Sequence, residues 1–126
     1  MKLFFSIVTS LFVSISYAGG ITSTGDEGPA KAIHIVIEGK GPAVDSEAYL
    51  KVRTLIGQSI VDQVVDKFIV HSYGDEGGFS ACVQKAPFAE WEALATLYKK
   101  FESIKPNPET TFYQIAEASR CKDMKN

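Results

Sequence analysis

Residues 32–38 read Ala-Ile-His-Ile-Val-Ile-Glu. In an extended chain successive side chains point to opposite faces, so Ile33, Ile35 and Ile37 share one side and His34, Val36 and Glu38 the other. Three β-branched residues on one face predict a strand with that face buried. Gly39-Lys40-Gly41-Pro42 then stops it. A strand so lopsided needs an amphipathic layer to cover its isoleucines.

The covering layer is legible in two helical stripes. Asp45 stands where an N-cap belongs, and Glu47 follows in the first turn, where the helix dipole favours a negative charge. Tyr49, Val52, Leu55, Ile56 and Ile60 recur at intervals of three and four, which predicts a helix of about 15 residues that Gly57 weakens. The second stripe is Phe88, Trp91, Leu94, Ala95, Tyr98, Phe101 and Ile104, with Pro87 at the first helical turn and Trp91 packed in the core. Pro106 and Pro108 end it.

Three further strands are expected. Val64 to Tyr73 is rich in β-branched and aromatic residues, with Phe68 and Val70 as its inward pair. A glycine-rich hairpin over Gly74-Asp75-Glu76-Gly77-Gly78 joins it to Phe79–Gln84. There Phe79, Ala81 and Val83 face one way, and Ser80, Cys82 and Gln84 the other. Thr110 to Ala118 is the fourth strand. The order βαββαβ, with right-handed crossovers, predicts an α+β ferredoxin-like sandwich. Its four-stranded antiparallel sheet has the order 4-1-3-2, with both helices on one face. The name describes shape only, because two cysteines cannot hold an iron–sulfur cluster.

The chain opens with Lys2, the apolar run Leu3 to Val13, and Ser16-Tyr17-Ala18 ahead of Gly19-Gly20. A positive start, a short apolar centre and a small-residue exit predict a secretory signal peptide over residues 1–18. The run is shorter than the roughly 20 residues a spanning helix needs, so membrane contact is expected only during export. A polar leader, 19–30, and a single domain, 31–126, complete the predicted organisation, with a periplasmic or secreted location. In such a compartment Cys82 and Cys121 are expected to form a disulfide, the alternative being two unrelated thiols. The bond would close a loop of about 40 residues, worth about 4 kcal/mol in the chain-entropy model. The formal net charge is −2 and Lys and Arg form no run, which argues against nucleic-acid binding.

With both helices on one side, the other face of the sheet is left open. The expected residues of that candidate binding face are His34, Val36, Ile69, His71, Tyr73, Ser80 and Gln84; Phe112 and Gln114 are ambiguous between the two faces. His34 and His71 share the face, but their spacing is no metal motif and strand 3 separates their strands, so no metal is expected. Ser72 and Asp66 lie near His71 in sequence, yet alternation denies a Ser-His-Asp arrangement. With no phosphate loop or nucleophile elbow, neither a catalytic set nor a cofactor is expected. Asp75 and Glu76 read as solvated turn residues.

Gly78-Phe79-Ser80-Ala81, followed by Glu90-Trp91-Glu92-Ala93-Leu94, resembles the subtilisin-propeptide-like inhibitor family. That resemblance implies the same βαββαβ fold, and a module that docks its sheet face on a protease with its C-terminal segment in the substrate cleft. The chain departs from the pattern at Val61 to Val65, and a tail tethered at Cys121 would be kept from lying extended. The expectation is therefore a small exported binding protein without catalytic activity, whose partner is a protease or another copy of itself. Two alternatives stand beside it. One is a sheet-to-sheet dimer resembling the dimeric α+β-barrel families, with His34 or His71 as a ligand or acid–base group. The other is a structural envelope component.

Overall fold

The computed structural model describes residues 30–122. The predicted signal segment, nearly all of the polar leader and the last four residues lie outside the described residues. The elements are β1 (Ala32–Gly39), α1 (Ser46–Val61), β2 (Val65–Tyr73), β3 (Gly78–Lys85), α2 (Trp91–Glu102) and β4 (Thr111–Ala118). All pairings are antiparallel, in the order β2-β3-β1-β4. This is the expected 4-1-3-2 sheet counted from its opposite edge, and the fold is the ferredoxin-like α+β sandwich.

β1 is central, and its alternation sets the core. Ile33, Ile35 and Ile37 are fully buried and pack with Val52 and Ile56 of α1 and with Leu94, Leu97 and Phe101 of α2. Burying a side chain of this kind is worth about 1.5–3 kcal/mol relative to leaving it exposed, so this layer supplies much of the drive to fold. The α1 stripe is shifted from its expected position. Ala48 and Ser59 are buried, whereas Ile60 is 41% exposed.

Asp45 caps α1. Its Oδ1 accepts from the backbone N–H groups of Glu47 (3.1 Å) and Ala48 (3.2 Å), and its Oδ2 accepts from the N–H of Asn107 (2.9 Å). Asp45 N–H donates to Thr111 Oγ1 at 2.8 Å. One carboxylate thus starts a helix and ties it to the loop that leads into β4. These bonds, to Asn107 and then Ala48, hold its pKa below the usual carboxylate value.

The start of α2 corrects the sequence reading. Pro87 lies in a turn closed by the Ala89 N–H to the Ala86 carbonyl (3.1 Å), and the helix begins four residues later at Trp91. Phe88 is 71% exposed, and Trp91, expected in the core, is 42% exposed. The cause is Lys85, which is buried at the end of β3 on the helix side. Its Nζ donates to the carbonyls of Ala86 (3.0 Å) and Ala89 (2.8 Å) and sits 4.5 Å from the centroid of the Trp91 ring. A buried ammonium needs such partners, and supplying them draws the turn and the indole to the rim.

Candidate binding face of the sheet

Register places the open-face residues in rows across the four strands. One row is Ser72, Ser80, Val36 and Gln114. The next is Ile69, Cys82, His34 and Ala116, and the outermost on the other side includes Glu38 and Phe112. Phe112 and Gln114 therefore belong to the open face, because Tyr113 and Ile115 pack against the core. Phe112 is 47% exposed.

Tyr73 does not belong there. The β2–β3 register shifts between Val70 and Ser72, so one extra residue is accommodated at His71. A bulge of this kind inverts the alternation beyond it. Tyr73 pairs with the inward-facing Phe79 and lines a groove on the helix side with Tyr49 and Phe68. The same bulge gives His71 its position. Its ring stacks on that of His34 with centroids 5.8 Å apart and planes 21° apart, although β3 lies between their strands. The outward side chains of β3 at this level, Ser80 and Cys82, are small. Among the described residues, His71 Nε2 is buried without a hydrogen-bond partner. His34 has its pKa lowered from 6.5, first by burial, then by the neighbouring His71 and by Lys122.

One end of the face is closed. Cys82 and Cys121 form a disulfide with their Cα atoms 5.7 Å apart. The tail thereby folds back over the sheet, and Cys121 N–H donates to Gln84 Oε1 at 2.8 Å. Ala32, Cys82 and Cys121 form a second buried cluster against which Ile69 and Ala118 pack. Gln84 and Ile69 are thus engaged by the clamp. Of the predicted face, His34, Val36, His71 and Ser80 remain in the uncovered part, joined by Ser72, Phe112 and Gln114.

Among the described residues, the uncovered part has no charged side chain in its middle; Glu38 lies at its edge and Lys122 on the clamp side. No group of three or more His, Cys, Asp or Glu residues placed to hold a metal occurs among the described residues. Two imidazoles in a stack offer a π surface and hydrogen-bonding nitrogens. The class defined by fold and site is an α+β sandwich with one covered and one half-open sheet face. No family model, no curated protein and no solved structure matches the chain.

Proposed function

We propose that this protein is a small exported, non-catalytic binding module, that it works through the uncovered half of its sheet face, and that the surface it fits best is the same face of a second copy. The observation that carries this is the charge-free row of Ser72, Ser80, Val36 and Gln114 beside the His34–His71 stack. Interface centres are depleted of charge. A face without charge at its centre can also meet its own copy with little like-charge repulsion there. Export is supported by the disulfide, a bond that persists in oxidising compartments. No helix among the described residues is long and apolar enough to cross a membrane.

The clamp weighs on the choice of partner. A propeptide-like inhibitor needs a free C-terminal segment, whereas here that segment is bonded at Cys121 to the middle of β3. The size of the face sets the strength. Four strands about 4.8 Å apart and about 26 Å long span roughly 500 Å², of which the uncovered half is about 250 Å², well below the ~800 Å² per partner of a stable complex. Association should therefore be weak and concentration-dependent.

Sedimentation velocity from micromolar to millimolar protein tests the reading. A reversible dimer that Val36→Asp abolishes, in a variant with unchanged thermal stability, supports it. A strict monomer over that range removes the second copy as partner. Inhibition of a subtilisin-type protease, relieved by Val36→Asp, would replace the copy with the protease; no inhibition together with a strict monomer overturns the use of this face.

A further inference from the structure

A second surface, on the helix side of the sheet, has the makings of a small-molecule site. A groove of about 480 Å³ runs between α1 and the β2–β3 ribbon. Its walls are aromatic. Tyr49 meets Phe79 edge-on at 5.5 Å, Phe68 meets Phe79 at 6.1 Å, and Tyr73, swung here by the bulge, is 72% exposed.

Gly57 lines the same groove, in the middle of α1. A glycine there destabilises a helix by about 0.5–1 kcal/mol relative to alanine. The fold does not require it, because its φ is not positive and a Cβ at this position would meet nothing within 4 Å. What its missing side chain provides is an opening between α1 and the aromatic wall.

Arg53, one turn before Gly57, is the only charged residue among the described residues that line the groove. Its guanidinium lies 5.5 Å from the centroid of the Tyr49 ring, and among the described residues that is its one partner. A planar guanidinium held on an aromatic face presents its forked donors to a carboxylate. Among the described residues, no acidic side chain lines the groove to compete for it.

From this arrangement we infer that the groove binds a small amphiphilic carboxylate. The head pairs with Arg53, and an aliphatic or aryl body lies over Gly57 against Phe68 and Phe79. Binding here is independent of the sheet's open face, since α1 and that face lie on opposite sides of the sheet.

The probe pair is decanoate and decanamide, which share a body and differ in the charge of the head. Titration of ¹⁵N-labelled protein, followed by amide shifts, is expected to map decanoate to Tyr49, Gly57, Phe68 and Tyr73, with decanamide at least threefold weaker. Arg53→Gln should abolish the difference between the two probes. Gly57→Leu should weaken both at least tenfold while raising the thermal midpoint, so loss of binding cannot be laid to unfolding. Equal affinity for acid and amide, shifts mapping elsewhere, or undiminished binding in Gly57→Leu would each overturn the inference.

Discussion

His34 and His71 stack at 5.8 Å across an intervening strand. They do so because β2 bulges at His71 and because β3 places small side chains between them. The stack puts His34, whose pKa burial holds below its ordinary value, on the uncovered half of the sheet, so this face responds to acid.

The response has a definite sign. The folded state holds the His34 pKa below 6.5, the value of the unfolded chain. As pH falls below 6.5, the unfolded chain takes up a proton that the folded chain resists, so stability is lost between 6.5 and the lowered folded value and levels off beneath it. Urea unfolding at intervals from neutral pH to pH 5 should show this decline, and His34→Gln should flatten it. A decline undiminished in that variant would locate the effect elsewhere.

Reduction should loosen the clamp before it unfolds the domain. The disulfide spans 39 residues in sequence, and removing such a bond typically costs about 2–5 kcal/mol. In Cys82→Ala/Cys121→Ala, hydrogen exchange should rise first at Cys121, whose N–H is held by Gln84. The buried isoleucine layer under the helices should keep its protection. Uniform loss of protection across β1 would show that the clamp and the core are one cooperative unit.

Two glycines should respond oppositely to alanine. Gly57→Ala fills open space in a helix and should stabilise by about 0.5–1 kcal/mol. Gly78 has φ +94°, and a Cβ there would press into the carbonyl oxygen of Ile37 on the paired strand. Gly78→Ala should destabilise by about 1–3 kcal/mol. Chemical denaturation of both variants checks the contrast, and equal signs would refute it.

Asp45→Ala should lower the thermal midpoint by freeing one end of α1 and the Asn107 loop together. The Asp45 carboxyl is held below its ordinary 3.8, so its contribution is present above that pH and is lost as pH falls through the lower folded value. Asp45→Ala should therefore unfold at a pH closer to wild type, measured from each variant's own neutral-pH stability, than Gly78→Ala does. A wild-type acid limb retained by Asp45→Ala would show that this carboxylate does not contribute to it.

Much of this architecture is written locally. The alternation of Ile33, Ile35 and Ile37 determined a strand with one buried face, the two stripes determined helices to cover it, and the glycine-rich stretch before Phe79 determined a hairpin. From these the βαββαβ order and the strand order follow, because periodicity and connection rules act over neighbouring residues. The pairing of Cys82 with Cys121 was legible from their parity.

What only the tertiary structure decided is which side chains meet across strands. A one-residue bulge leaves no mark in composition, yet it turned Tyr73 to the helix side and set His71 against His34. Lys85 ends β3, and its need for buried partners sets Pro87 and Trp91 outside the expected helix and core positions. The tail's return over Gln84 closed half of a face that alternation alone leaves open. Each of these depends on register and long-range contact. Side-chain period specifies a face only until the ladder slips by one residue, and where it slips is settled by the whole packed sheet.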